Sequence, residues 1–324
     1  MSPESIVVVQ IGKIGDMILT TPLFKRLREE FPDSKLTVLA SEINNQIAVT
    51  DPSVSEVVIF KKNFSGLSNL ISLRNSKIDY WIDTKEMYSR TSGLLLKKMK
   101  PEKSFGYNSK DISFNVDLTE YRTGSHAVDL NLSPLNYFSG TNEIFSGHTL
   151  PEIFIPSKDI ETIKSRIGNS GSRKKILINY SAGSGNRYIQ PDIWINTLNN
   201  LSIGDDFVFY ISGKKEDLQE MKNIIKEVGR HSVNFINTDS LFEFAGLIKL
   251  SDLVITPDTS AVHFCSAFDK PVIAFYPDVK WNFEKFKPLS KVSKVIFSDN
   301  GNDLAGIKTG SIIDSINKIL PEVF

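Results

Sequence analysis

Short runs of β-branched and apolar residues alternate along this chain with stretches whose apolar positions recur every three or four residues. That alternation predicts a parallel sheet with helices on its faces. In the first half, strands are predicted at Ile6–Gln10, Lys35–Ala40, Glu56–Phe60, Ile78–Asp83 and Ser104–Tyr107, with helices near Thr21–Phe31, Gly66–Arg74 and Ser89–Lys100. Leu23, Phe24, Leu27 and Phe31 keep helical spacing, so the first of these helices is expected to bury one face on the sheet.

The pattern then restarts. Strands are predicted at Lys175–Tyr180, Asp206–Ser212, Val233–Ile236, Asp252–Thr256 and Lys270–Tyr276, with helices at Pro191–Leu201, Asp217–Val228, Leu241–Leu250 and Thr259–Phe268. Between the halves, Pro151–Lys174 carries two prolines and two glycines, and its end reads as an interdomain linker. The expected organisation is a first domain over residues 1–160, a second over 172–310 and a C-terminal helix within 311–324. Two doubly wound α/β domains facing each other form a central cleft at the carboxyl ends of their strands, where such sheets bind ligands. Functional motifs are therefore expected just after strands.

Composition narrows the class. A chain of 324 residues, 40% hydrophobic and 23% charged, suits a two-domain globular enzyme. Lysine plus arginine equals aspartate plus glutamate at 38 each, so no overall charge draws the protein to nucleic acid. Cys265 is the only cysteine, which rules out an internal disulfide and suits a reducing, cytoplasmic compartment. The segment MSPESIVVVQ lacks the basic and apolar regions of a signal peptide, and no apolar run approaches the roughly 20 residues that span a bilayer. A soluble protein is expected, with any membrane contact peripheral.

Two segments after strands carry candidate chemistry. Ile6–Gln10 runs into Ile11-Gly12-Lys13-Ile14-Gly15-Asp16, and Gly12 and Gly15 let the backbone turn closely against a ligand. The spacing is G-x-x-G, and no acidic ribose ligand closes the second strand (Glu42 lies just past it), which argues against a nicotinamide dehydrogenase. Asp16 is placed either to cap the next helix or to take a proton from an attacking hydroxyl. Pro22 fits a helix starting near Thr20 or Thr21 and would kink one starting at Asp16.

The second segment is Thr256-Pro257-Asp258-Thr259-Ser260-Ala261-Val262-His263. Proline ends the strand, and a helix is expected from about Asp258. Ala261, Phe264, Cys265 and Phe268 share one helical stripe, while His263 lies about 200° away at about 100° per residue, on the side of Thr259 and Ser260. Free N–H groups, two hydroxyls and an imidazole at a helix start suit a diphosphate; a core histidine is the plainer alternative.

Supporting groups lie nearby in sequence. The loop Tyr180-Ser181-Ala182-Gly183-Ser184-Gly185-Asn186-Arg187 could cradle a phosphate, with Arg187 stabilising leaving-group charge, or be an ordinary turn. Glu216 is a candidate acceptor for ribose hydroxyls, or a solvated charge at a helix start. Leu241, Phe242 and Ala245 are a candidate slot for a base, or core. Arg90, Lys97, Lys98, Lys100 and Lys103 form a basic segment that could meet an acidic glycolipid, or a solvated face. His126, His148, His231 and His263 are scattered and no D-x-D motif occurs, so neither a metal nor a cofactor is expected.

The run I-V-V-V-Q-I-G-K-I-G-D-M-I-L-T-T-P at 6–22 and the segment Leu241–Pro277, with its T-P-D-T-S-A-V-H, resemble glycosyltransferase family 9, the lipopolysaccharide heptosyltransferase family. The resemblance covers nearly the whole chain. It implies a GT-B fold of two Rossmann-like domains facing a central cleft. It also implies inverting transfer of a sugar, typically heptose from ADP-heptose as co-substrate, to a lipopolysaccharide-type or other surface glycan at the inner face of the cytoplasmic membrane. Asp16 is then the expected base, with Gly12, Lys13 and Gly15 on the acceptor side. Ser181, Ser184, Arg187, Glu216, Asp258, Thr259, Ser260 and His263 are the expected donor-side residues. The C-terminal helix Ser311–Leu320 is expected to cross back onto the first domain. Gln10 stands where many members have arginine, Ser260 where glycine is common, and Asn186-Arg187-Tyr188 where a lysine usually precedes an arginine–tryptophan pair. Two other readings are a non-catalytic nucleotide-sugar-binding scaffold of a polysaccharide assembly complex and a GT-B-like sugar-nucleotide epimerase. The latter needs further carboxylates, for which Glu216 and Asp258 are candidates.

Overall fold

The structure, a computed structural model, describes residues 2–61, 70–71, 73–87, 89–139, 149–168, 171–229 and 232–324. The chain divides into two compact units, Met1–Phe154 and Ile155–Phe324. The first unit contains β1 (Ser5–Gln10), β2 (Lys35–Ser41), β3 (Glu56–Phe60), β4 (Tyr80–Asp83), β5 (Lys103–Gly106) and β6 (Val116–Asp117), all parallel, in the order β3-β2-β1-β4-β5-β6. Helices cover both faces, which is why β1 reads Ile-Val-Val-Val without polar alternation: all four side chains are buried.

The second unit contains β7 (Lys174–Asn179), β8 (Phe207–Ser212), β9 (Val233–Phe235), β10 (Leu253–Pro257), β11 (Val272–Tyr276) and β12 (Ser293–Phe297), again all parallel, in the order β12-β11-β10-β7-β8-β9. Numbered from the start of its own unit, each sheet runs 3-2-1-4-5-6. The halves thus repeat one topology although their residues do not visibly match. In each unit the chain leaves the first strand toward one edge and returns to the other side of that strand, opening a crevice at the carboxyl ends of the two central strands. Those strands are β1 and β4 in one unit, β7 and β10 in the other.

All ten predicted strands are present, most within two residues of the expected bounds. The expected helix Gly66–Arg74 lies largely outside the described residues, as do His148 and His231. Pro22 acts as anticipated. A short helix Ile14–Ile18 ends at Leu19, and a second helix, Thr21–Glu30, starts with Pro22 in its first turn, where a missing N–H costs nothing. The helix Ala127–Ser139 escaped notice because Pro134 and two asparagines interrupt a sequence that is buried nearly all round.

Two boundaries differ from expectation. The first unit ends at Phe154 and not at residue 160, because Ser157–Ile167, read as part of the linker, is a helix of the second unit. Its Ile163 is fully buried, it packs on the helix Leu241–Leu250, and Arg166 forms an ion pair with Glu243 at 2.7 Å. The C-terminal helix, Thr309–Val323, places Ile312, Ile316 and Ile319 in the second unit's own core beside Trp194 and Leu198. Its apolar face therefore belongs to that unit. Ile316→Ala should destabilise the second unit by about 2–5 kcal/mol, read as an earlier denaturant midpoint for that unit's transition. An unchanged midpoint would show that this helix is dispensable to the core.

Candidate functional site

The carboxyl edge of the first sheet is held by neutral side-chain amides. Gln10, the last residue of β1, donates through Nε2 to the hydroxyls of Thr20 at 3.0 Å and Thr84 at 2.9 Å, and its Oε1 accepts from the Gly12 amide at 3.2 Å. Asn44 donates to the carbonyls of Gln10 at 2.9 Å and Gly12 at 3.2 Å. Asn131 reaches Leu19 O at 2.9 Å and the Thr20 hydroxyl at 3.1 Å. The turn over β1 is thus fixed by side chains from three other segments, Asn44 and Asn131 as donors and Thr84 as an acceptor. An arginine at position 10 could not replace this knot, because guanidinium cannot accept the Gly12 N–H.

Asp16 sits half-buried in the first turn of Ile14–Ile18, where its Oδ2 accepts from the Lys13 amide at 2.8 Å. The cap reading of this residue is therefore present in the structure. The cap leaves Oδ1 without a hydrogen-bond partner among the described residues. Gly12 is required for this arrangement, since a Cβ there would lie 2.5 Å from Asp16 Oδ2 and 2.8 Å from Gln10 Oε1. Lys13 is exposed and Gly15 half-buried in the same turn.

The carboxyl edge of the second sheet uses charge. Asn179, the last residue of β7, donates to Thr256 Oγ1 at 2.9 Å and Thr259 Oγ1 at 3.3 Å, tying β7 to the end of β10. Arg187 Nη1 meets both the carboxylate and the carbonyl of Asp258 at 2.9 Å. Asp258 is only 4% exposed, so this carboxylate is held by a cation and by Asn282 Nδ2 at 2.9 Å rather than by water. Thr259 caps the helix Ser260–Ala267, its hydroxyl accepting from Ala261 N at 3.3 Å. His263 is buried in that helix, with its ring 6.1 Å from that of Phe286. Cys265 is core, and burial pushes its thiol up.

A second polar knot closes the loop after β7. Asp217 Oδ2 accepts from Ser181 Oγ and from the Tyr188 hydroxyl, the latter at 2.8 Å, and Ser181 Oγ accepts from Lys214 N at 2.7 Å. Lys214 Nζ donates to Ala182 O at 2.6 Å. Burial and the neighbouring Asp217 carboxylate both raise the Tyr188 phenol. Ser184 is exposed and bonds to Asn186 at 2.6 Å.

The structure therefore brings Ser181, Arg187, Asp258, Thr259, Ser260 and His263 to one edge of one sheet. It leaves Glu216 exposed in a short 3₁₀ turn, and the carboxylate engaged with the loop is its neighbour Asp217. Phe242 and Ala245 are buried in their helix, with Leu241 partly exposed. Asn179, Lys214, Asp217 and Asn282 were missed. The first had a legible signal, a polar residue closing an otherwise apolar strand. Among the described residues no three His, Cys, Asp or Glu side chains gather as a metal site, and no helix is long and apolar enough to cross a membrane.

Comparison with known proteins follows the same lines. The profile of Glycosyltransferase family 9 (heptosyltransferase) matches residues 71–313. A Haemophilus influenzae protein provisionally named a glycosyltransferase is 23% identical over 307 residues, covering 90% of this chain and 88% of its own length. Among solved structures, a glycosyl transferase family 9 protein from Veillonella parvula superposes with a TM-score of 0.79 at 18% identity, covering 98% of this chain and 97% of that one. The E. coli heptosyltransferase WaaC, solved with ADP, gives 0.74 at 15% identity, covering 97% and 99%. These likenesses at low identity establish a shared fold.

One buried acid in the first unit has a thermodynamic consequence. Asp83, at the carboxyl end of β4, is 1% exposed, and burial pushes its carboxyl up to about 6 against the lowering pull of the Lys85 amide and of Ser92. The folded state holds this proton more tightly than the unfolded chain does. The resulting stability is complete below the unfolded value of 3.8 and is lost as pH rises through about 6. Asp83→Asn keeps an acceptor for Lys85 N–H and removes the ionisation. It should stabilise the first unit at pH 7 and flatten the decline between about pH 4 and 6. A decline of unchanged slope in that variant would assign it to another group.

Proposed function

The chain belongs to glycosyltransferase family 9 and is a glycosyltransferase, and from that premise we propose that it moves heptose from ADP-heptose to a lipopolysaccharide-type or other surface glycan. One observation carries the donor side: the loop after β7 and the helix start after β10 are joined through Arg187–Asp258 and Asn179–Thr259. Two adjacent loops so fixed present the first-turn N–H groups of Ser260–Ala267, the Thr259 and Ser260 hydroxyls, Arg187 and Lys214 along one edge. That is a set of donors and cations suited to a diphosphate. A related E. coli heptosyltransferase solved with ADP supports adenine as the base.

In the proposed reaction the acceptor oxygen bonds to the anomeric carbon as the bond from that carbon to the terminal phosphate oxygen breaks, with inversion. The acceptor proton passes to Asp16 Oδ1. The cap that fixes Oδ2 orients the carboxylate without occupying the oxygen that receives the proton. Charge developing on the departing ADP falls to Arg187, Lys214 and the helix start.

An acidic glycolipid is the proposed acceptor class. Arg90, Lys97, Lys98 and Lys100 are exposed without a carboxylate partner among the described residues. Arg90 and Lys97 flank a depression of about 380 Å³ lined also by Gly93, Leu94, Asp111 and Ile112. Elsewhere on the first unit Lys35 is paired with Glu56 and Lys25 with Glu152. This placement suits a phosphorylated glycolipid approached from the inner face of the cytoplasmic membrane.

Asp16→Asn retains an oxygen for Lys13 N–H while removing the base. Turnover should fall at least about 100-fold with ADP affinity within about twofold of the parent. Undiminished turnover would remove Asp16 from the chemistry. In a thermal-shift panel of ADP-, UDP-, GDP- and CMP-sugars, ADP-heptose should stabilise most. Stabilisation by a UDP- or GDP-sugar alone would reassign the donor. Binding without nucleotide release, across acidic glycan acceptors, would favour a non-catalytic scaffold.

A further inference from the structure

The chain has three tryptophans, and they divide sharply. Trp81 and Trp194 are core residues at 0% and 1% exposure, whereas Trp281 is 66% exposed. An indole is the largest apolar side chain and is highly buried on average, so one standing in water calls for a physical reason.

Trp281 lies in a segment pinned to the donor edge. It belongs to the helix Lys280–Phe286, which follows β11, the strand next to β10. The next residue, Asn282, is 6% exposed and donates to Asp258 Oδ2 at 2.9 Å. Four residues on, the Phe286 ring lies 6.1 Å from that of His263, and the Phe286 carbonyl accepts from the Tyr276 hydroxyl at 2.8 Å. One stripe of this helix is thus fixed on Asp258 and His263. Trp281 occupies the adjacent stripe, about 100° around the axis, and is exposed, with exposed Asp278 and Lys280 shortly before it in sequence and half-buried Glu284 and Lys285 one turn on.

Sheet order gives this position a direction. A diphosphate at the β10–β7 crevice has β8 on one side and β11 on the other, each about 4.8 Å from its central neighbour. The β8 side carries the Asp217 carboxylate, which already accepts two hydroxyls and suits the hydroxyl-rich ribose. The β11 side carries Trp281. With its nucleoside toward β8, a nucleotide sugar laid across this edge would carry its transferred sugar toward β11.

We propose that Trp281 is a binding platform for the transferred sugar, its ring face taking the C–H face of the sugar while Asp278 and Lys280 meet hydroxyls at the rim. The weakly positive C–H edges of a sugar ring complement the negative π face of indole. This inference rests on the donor assignment proposed above. It adds a sugar-recognising side chain to that site and separates sugar affinity from nucleotide affinity.

The test uses the full-length protein titrated by calorimetry with ADP, UDP and GDP and with a sugar nucleotide of each, including ADP-heptose. Acrylamide quenching reads the accessibility of Trp281, since the other two indoles are buried. Trp281→Ala should weaken the preferred sugar nucleotide about fivefold to tenfold while leaving its nucleoside diphosphate within about twofold, and Trp281→Phe should restore most of the loss. In the parent protein, the sugar nucleotide should protect Trp281 from acrylamide and the diphosphate should not. A sugar-nucleotide affinity in Trp281→Ala equal to the parent's, or equal protection of Trp281 by diphosphate and sugar nucleotide in the parent, would overturn the platform and leave the donor site standing. No binding of any nucleotide to the parent would overturn the donor reading and the platform with it. Protection by anionic phosphatidylglycerol vesicles alone would make Trp281 a membrane contact and overturn its role toward sugar.

Discussion

A parallel sheet covered by helices on both faces leaves polar chemistry only one place to go. Every interior strand position in such a sheet is enclosed, so a hydroxyl or carboxylate there must find a partner or forfeit its hydration. The carboxyl ends of the strands escape this, and where neighbouring connections diverge they also leave room. Both units of this protein obey the constraint in the same strand order. The apolar runs of β1 and β7 give way at their last residues to Gln10 and Asn179, and each of those amides bridges to the next central strand or its following loop. The polar contacts at each edge gather around those two side chains.

From that common plan the two edges diverge in electrostatics. The first is knotted by neutral groups, with Gln10, Asn44, Asn131, Thr20 and Thr84 sharing donors and acceptors around one turn. Neutral amides fix the backbone around the turn, and the Lys13 amide engages only Oδ2 of Asp16, leaving Oδ1 without a partner among the described residues. The second edge is held by Arg187 against Asp258. At 4% exposure the Asp258 carboxylate could not stand there uncompensated, and the pair secures the loop after β7 to the helix start after β10. Arg187 makes both of its contacts with Asp258 through Nη1. A guanidinium offers five donors, so an ion pair made through one of its nitrogens does not exhaust it.

Much of this was legible in the sequence, for reasons that can be named. Strand runs such as Ile6–Gln10 and Glu56–Phe60 are short, apolar and closed by polar residues, and they stand where the pattern places them. Asp258, Thr259 and Arg187 were legible because each follows a strand that ends abruptly, at Pro257 or at the glycine-rich loop after Tyr180. The helix Ser157–Ile167 was not, because prolines and glycines at either end of its segment imitate a linker while its attachment, Arg166 to Glu243, spans 77 residues. Long-range pairing of that kind has no local signature. Asp217 went unread beside the candidate Glu216 for a finer reason. Both carboxylates follow the same strand, and only the turn of the 3₁₀ segment decides which one meets Ser181.

That last contrast bears on how such a site tolerates change. Solved structures at 15–18% identity share the fold over nearly the whole chain, so many positions around these sheets tolerate change if they stay apolar. The edge residues are coupled, however, and cannot drift one at a time. Placing a side chain at Gly12 would drive a Cβ into the Asp16 carboxylate, and one at Gly213 would drive it to 2.3 Å from Ser181 Oγ. In each unit a glycine on one segment is therefore set by the oxygen of a side chain on the same edge. The departures from the family pattern at Gln10 and at Asn186-Arg187 fit this coupling. Gln10 is matched by Thr84 and the Gly12 amide, while Asn186 Nδ2 donates to Asn302 O at 3.0 Å and Arg187 to Asp258. Each altered residue is integrated with its own neighbours, so the changed chemistry lies in the whole edge and not in a single substituted side chain.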